Sequence, residues 1–600
     1  MELSPSLCIT APVDKPLIRV GIVGCGSRGL TVLERLCALA TDSGQALEIH
    51  AYDPHRPGPG LHSVEQPEYL MLNTVASQIS MFPDQAALAG FSGRPGPNFH
   101  EWCLRFKASE RLVRANEFLP RRWLGEYLAW TWDEVLRGLP DHIRVVHHAR
   151  AVDNVEHTDL GGFVLSTGHG PRQAVDWLLI TVGHAAAPAV VDNRGGRTRY
   201  LSAYPQPYVL ESLSSTDRVG IEGMGLSAMD VVAGLTVGRR GRFVEGPHGL
   251  HYQASGEEPQ IFLYSRSGQP YRTRPDIAPH RVGASPLIFT LSAVSDLRAA
   301  YPQGLDFVRH VLPLLKAEMF AEYFGMVAAQ NGESALRIKS EVANAFLLGE
   351  LEAIAQTLAQ RFAVPMLDEA VYNPRVVQVP PADYPQWVRA FIENDIAESV
   401  LDLDHSLLKA AVEVWRSCRE QLRRVVDNHG LTPESHRQFF AEYAPLVNRM
   451  VAGPQKERHQ ELLALVDAGI VQWVHSGQVV HNAALGEVSI TLADGERIAL
   501  DAVVRAHVGD NRQTDTQPAI IRQLRASGII HSLNEEGEGI EVDGHGKAQP
   551  NLWIIGPIVE GATYYNHYVP SAGSYSRAFI DADRIAREML GSYAQVRGTL

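Results

Sequence analysis

The chain has 600 residues, 45% hydrophobic and 20% charged, with 54 basic and 68 acidic side chains for a net charge of −14. That balance fits an ordinary soluble globular protein and argues against nucleic acid or an anionic membrane as a partner. The five cysteines, Cys8, Cys25, Cys37, Cys103 and Cys418, form no C-x-x-C and are odd in number, which argues against disulfide-reductase chemistry and points to a reducing cytoplasm. No apolar run approaches the ~20 residues of a membrane span, and residues 1–16 lack the basic start and apolar core of a signal peptide. No metal is expected.

Residues 18–23 are apolar apart from Arg19, and mostly β-branched, which predicts a parallel strand covered on both faces. Gly24-Cys25-Gly26-Ser27-Arg28-Gly29 follows and fits G-x-G-x-x-G, and Leu30, Leu33, Leu36 and Cys37 then recur at helical spacing. The glycines serve the tight turn, the close approach of a pyrophosphate and helix–strand packing. The helix start offers free N–H groups to the phosphates. A second strand over 47–52 ends at Asp53, placed to hydrogen-bond ribose hydroxyls. This unit therefore reads as an FAD site. The turn-rich stretch to Gly60 leads into 69–84, where the amides of Asn73 and Gln78 could bond a flavin edge or simply cap a loop. Helices are predicted over 99–106 and 121–136. Strands over 143–146, 163–166 and 175–184 form a small meander that returns to the sheet at Gly183.

The pattern then repeats. Residues 217–230 read as strand, turn and helix, with Gly223, Gly225, Ser227 and Ala228 in a G-x-G-x-x-A turn. The next strand, over 260–264, ends near Arg266 rather than an acid, which suits a 2′-phosphate and so NADPH. Residues 286–465 are dominated by helical spacing, over 305–326, 342–362, 387–400 and 406–426. Strands over 469–475, 487–492 and 497–504 echo the first meander, which implies an internal repeat at domain level. The chain returns with a strand ending at Gly556, a loop through Asn566, His567 and Gly573, and a helix over 577–589. The expected architecture is α/β, two Rossmann-like dinucleotide-binding domains with a large helical insertion. The parts are 1–215 and 513–600 for FAD, 216–285 and 466–512 for NADPH, and 286–465 for the insertion.

This layout resembles the two-dinucleotide-domain flavoprotein monooxygenases, which include N-hydroxylating enzymes acting on amino-acid amines. More narrowly it looks like the FAD/NAD(P)-binding family that contains nitrosuccinate synthases. The marks are Asp53-Pro54 with Gly58-Pro59-Gly60, Leu72-Asn73-Thr74 before Met81-Phe82, Ser265-Arg266-Ser267-Gly268, and the helical insertion. The resemblance implies oxidation of the amine of L-aspartate to nitrosuccinate, by successive oxygenations with O₂ through a flavin C4a-hydroperoxide. A pocket for two carboxylates needs paired cations or amides, and arginine suits them best. Arg272, Arg274, Arg449, Asn566 and His567 are the candidates, although each arginine also fits an ion pair or a surface position. No residue is singled out as catalytic. A lysine- or ornithine-type N-hydroxylase, another flavin monooxygenase and a non-catalytic flavoprotein sensor stay open, as does a homo-oligomer.

Overall fold

The computed structural model describes residues 16–88, 94–159, 161–168, 170–184, 197–247, 249–277, 285–374, 379–492, 495–506, 517–571 and 576–591. Its first sheet is built around Ile18–Val23. This strand lies between Leu47–Tyr52 and Trp177–Ile180, with Ile143–His148 beyond the former and Leu552–Ile554 beyond the latter, all parallel. Lys547–Gln549 adds an antiparallel edge. Burial alternates as a two-residue period requires: Leu179 joins Val20, Ile22 and the helix leucines on one face, whereas Leu178 and Ile180 pack on the other. Each such side chain contributes about 1.5–3 kcal/mol on burial.

The second sheet repeats this order over four strands, and its fifth comes from earlier in the chain. Arg218–Glu222 is central, between Gln260–Tyr264 and Ala502–Arg505, with Val471–Trp473 and Arg199–Ser202 at the edges. Each sheet also carries a three-stranded antiparallel meander, starting at Asn154–His157 in the first and at Val479–Asn482 in the second. The repeat is therefore one of topology. No helix among the described residues is long and apolar enough to cross a membrane.

The structure differs from the sequence-level expectation in four places. Ile143–His148 is a parallel strand of the main sheet, not part of the meander. Arg199–Ser202, expected in the first domain, hydrogen-bonds along Ala502–Arg505 and so closes the second sheet. The helices Tyr384–Val400 and Lys456–Asp467, expected in the insertion, pack Val388, Ile392, Leu462 and Leu465 onto that sheet. The single helices expected over 342–362 and 406–426 are each two. Gly349, at φ +76°, separates Ala335–Leu347 from Leu351–Phe362, and a bend at fully buried Cys418 separates Leu407–Ser417 from Arg419–Val426.

The helical layer has its own core, which includes Phe307, Phe324, Trp415 and Phe439 and takes in Tyr564 from the returning chain, packed on Phe439. Two buried polar networks tie the layers together. Arg121 meets Asp230 at 2.6 Å, and the Tyr204 hydroxyl donates to the same carboxylate. Asp395 accepts from Arg272 Nη1 at 2.7 Å, Lys409 Nζ at 2.8 Å, and the Thr273 backbone N–H at 2.6 Å and hydroxyl at 2.9 Å.

Candidate functional site: two dinucleotide cradles and an arginine recess

The first glycine turn is shaped by backbone. Gly24 has φ +91°, and a Cβ there would lie 2.6 Å from the Thr181 carbonyl oxygen. A Cβ on Gly29 would lie 2.3 Å from the Gly24 oxygen, so both positions exclude side chains for the protein's own packing. Gly26 is different, since a Cβ there would meet nothing nearer than Gly60 Cα at 3.4 Å. Space is kept over this residue at the start of helix Ser27–Ser43. That helix has no side-chain cap and no acid in its first turn, so its N–H groups and dipole are available to an anion. This is the cradle a diphosphate requires, and an added Cβ would begin to fill it. Asp53 closes one end, accepting from Cys25 N at 2.9 Å and His55 N at 3.0 Å while staying partly exposed. Gly183, at φ +81°, faces open space.

Arg28 turns away from the cradle. Its guanidinium lies 3.7 Å over the Tyr568 ring and donates to the Asn566 carbonyl at 3.2 Å. With Gly556, Asn566 and Arg577 it lines a solvent-open recess. Ser27 accepts from Thr31 at 2.7 Å through its carbonyl.

In the second turn, a Cβ on Gly223 would sit 2.6 Å from the Ala506 carbonyl oxygen, and Ala228 is fully buried where helix meets strand. Helix Leu226–Leu235 also starts without a side-chain cap or an acid. Gly225 lies under the Tyr271 ring, which a Cβ would approach to 3.0 Å, so entry to this cradle passes an aromatic side chain. Buried Ser227 is turned to the Tyr204 hydroxyl and serves the inter-sheet network. Arg266 is exposed in the turn after its strand, with no ion pair among the described residues.

Asn73 and Gln78 meet Arg274 across a small recess, shared with Asn116, Phe118 and Asp276. The same segment is bridged to the returning chain, Ile79 to Ser571, and Ser80 N donates to the Pro570 carbonyl at 3.1 Å. Glu560 shapes that return, accepting from Tyr565 N at 2.9 Å and Asn566 N at 2.7 Å. Gly573 lies outside the described residues.

The five substrate candidates do not share one place. Arg272 donates to Asp395 through Nη1 and to the Val371 carbonyl through Nη2, an ion pair within the protein. The Asn566 amide is likewise used within its own loop, on Glu560 and Thr563 at 3.0 Å. His567 stacks on His184 with ring centroids 4.9 Å apart. The ring of His567 is exposed along one edge and lies 3.8 Å from Glu560, whereas burial with His567 beside it lowers the pKa of His184. Arg449 lies beside Tyr271, its Nε buried without a partner. Only Arg274 reaches the recess with the flavin-edge amides. Sequence reasoning missed His184, for which Gly183 at a strand end was a signal. It also missed Arg416 and Arg419, whose signal was a run of arginines at helical spacing.

A family model described as FAD-NAD(P)-binding matches residues 21–185, the stretch that holds the first cradle. An L-aspartate N-monooxygenase (nitrosuccinate-forming) of Streptomyces cremeus is 30% identical to this chain over 640 residues, covering 95% of the chain and 94% of the relative. The chain belongs to the nitrosuccinate-forming N-monooxygenase family. A family member from Streptomyces davaonensis is 29% identical, with 97% and 98% of the two chains covered. A nitrosuccinic acid synthase of Aspergillus oryzae is 29% identical, covering 96% of this chain and 93% of its own length. The likeness to the family thus spans both cradles and the helical layer.

Proposed function

We propose that this chain is an FAD- and NADPH-dependent N-monooxygenase that converts the amine of L-aspartate to the nitro group of nitrosuccinate. The observation that carries the reading is a pair of phosphate cradles with a polar recess at Asn73, Gln78 and Arg274, in a chain alike over nearly its whole length to enzymes of that name. Gly24, Gly26, Gly29 and Asp53 would hold FAD, with Asn73 and Gln78 toward its ring. Gly223, Gly225 and Arg266 would hold NADPH. The reduced flavin, when bound, supplies the oxygen-activating chemistry.

The protein's own part is positional and electrostatic. The substrate amine must be unprotonated to attack as a nucleophile. Arg274 at the recess disfavours an ammonium there and so lowers the amine's pKa. The four described cysteines are free and buried, which supports a cytoplasmic setting.

The test is the product formed from L-aspartate, NADPH and isotopically labelled O₂, read by mass. Nitrosuccinate with both nitro oxygens labelled is expected. Untouched aspartate, with turnover of a lysine or ornithine instead, would refute the substrate assignment. Arg266→Ala is expected to raise the KM for NADPH by roughly 10- to 100-fold, the worth of a charge-assisted phosphate contact, and to leave NADH unchanged. Equal losses for both nucleotides would put the 2′-phosphate elsewhere.

A further inference from the structure

Arg416, Arg419 and Arg423 are spaced three and four apart, so they share one side of the two short helices that meet at Cys418. Arg274 reaches the same place from the segment after the second nucleotide strand. Its side chain is 5% exposed, donates to the Val451 carbonyl at 3.1 Å, and has its nearest carboxylate, Glu413, at 3.8 Å. Arg416 shares both partners: Nη2 donates to the Val451 carbonyl, and Nε lies 3.3 Å from Glu413 in poor hydrogen-bond alignment. Arg419 has no carboxylate partner among the described residues. It donates to the Tyr565 hydroxyl at 2.6 Å, and its guanidinium lies 3.7 Å over the same ring. Its Nε is buried and unpartnered.

The charge count decides what this means. Three guanidiniums face one carboxylate, which leaves two positive charges uncompensated in a partly desolvated place. Burial, with Arg274 beside it, pulls Arg416 down to about 10, and burial with Arg416 does the same to Arg419. Unpaired buried charge destabilises a fold, and apolar residues would pack there at lower cost. The arrangement is also held deliberately. Tyr565, which positions Arg419, has a left-handed backbone at φ +59°, a conformation costly for a tyrosine and fixed here by Glu560.

We propose that Arg274, Arg416 and Arg419 are the anchor for the two carboxylates of a dicarboxylic amino acid, whose double negative charge completes the cluster. The proposal rests on the functional reading above and adds the residues that choose the substrate. Of the three, Arg274 also lines the recess of Asn73 and Gln78, where the other charged side chain, Asp276, is paired with Lys456 at 2.6 Å, so the cluster adjoins the flavin-edge segment. A lysine or ornithine substrate brings one carboxylate and an extra cation, and the cluster repels it. Paired cations thus select dicarboxylates by rejecting basic amino acids as well as by attracting acidic ones.

Succinate, a dicarboxylate with no amine to oxidise, is the probe, with butyrate as the single-carboxylate control. Binding to the FAD-loaded protein is measured by calorimetry. The wild type is expected to bind succinate and not butyrate. Arg416→Gln and Arg419→Gln are each expected to weaken succinate at least about tenfold with FAD content unchanged, the loss of a charged hydrogen bond. Arg416→Lys and Arg419→Lys keep the charge and lose the fork, and should fall between; they decide the matter if the glutamine variants shed FAD. No succinate binding by the wild type overturns the anchor, as do lysine and glutamine variants that bind it as the wild type does. Nitrosuccinate formation together with that second result would sink the anchor alone. Arginine-dependent succinate binding without nitro-acid formation would sink the functional reading alone.

Discussion

Asp395→Ala is expected to destabilise the protein by about 3–5 kcal/mol, because it leaves two buried cations without their shared anion. The carboxylate is fully enclosed, and its four donors come from Arg272, Lys409 and the backbone and hydroxyl of Thr273. Burial by itself would raise its pKa, but Lys409 and Arg272 reverse this and hold it at about 2. An unfolded aspartate titrates near ~3.9. The folded pKa is the lower one, so the carboxylate's stabilising contribution is complete at neutral pH. It fades as pH falls below about 4 and is lost through about 2. Urea unfolding of the wild type and of Asp395→Ala, followed by tryptophan fluorescence in the helical layer, checks the size. A loss below about 1 kcal/mol would mean the network behaves as an exposed ion pair does. Thr273 stands between Arg272 and Arg274, so this network also fixes the strand of chain that presents Arg274 to the recess. A folded Asp395→Asn protein should therefore bind succinate more weakly than the wild type.

Gly26→Ala should fold normally and lose FAD. Its added Cβ touches only Gly60, at 3.4 Å, and the backbone of Gly26, at φ −72°, suits any residue. The methyl group instead occupies the space over the helix start where a diphosphate must lie. Overpacking of that kind costs about 1–3 kcal/mol, or roughly 5- to 150-fold in affinity. Gly29→Ala is the contrast. A Cβ 2.3 Å from the Gly24 oxygen cannot be accommodated without opening the turn, so that variant should lose fold and flavin together. Flavin absorbance per mole of protein, read beside circular dichroism, separates the two cases. A Gly26→Ala protein that purifies fully yellow would show that the flavin diphosphate lies elsewhere.

Both cradles were legible because strand, glycine turn and helix are local. Gly24 to Gly29 and Gly223 to Ala228 carry their geometry in a few consecutive residues, and Asp53 and Arg266 follow at the end of the next strand. The arginines were not legible in the same way. Arg272 and Arg274 are two residues apart and chemically identical, yet one is held by Asp395, 123 positions away, and the other lines the recess. Arg416 and Arg419 fall in the stretch expected as one helix over 406–426, where nothing in the spacing marks their partners. Only the bend at Cys418 and the return of Tyr565, 146 positions beyond Arg419, turn them into a cluster.

The edge strand Arg199–Ser202 makes the same point for the fold. Its four residues carry no signal of which sheet they join, and its hydrogen bonds to Ala502–Arg505 decide it. What the sequence determined by itself was the pair of dinucleotide units and the identity expected of each cofactor, because backbone conformation and periodic burial are set by near neighbours. What only the tertiary structure decided was which cations are spent on the protein's own anions and which remain for a ligand. Charge compensation acts through space, and the partners come from distant parts of the chain.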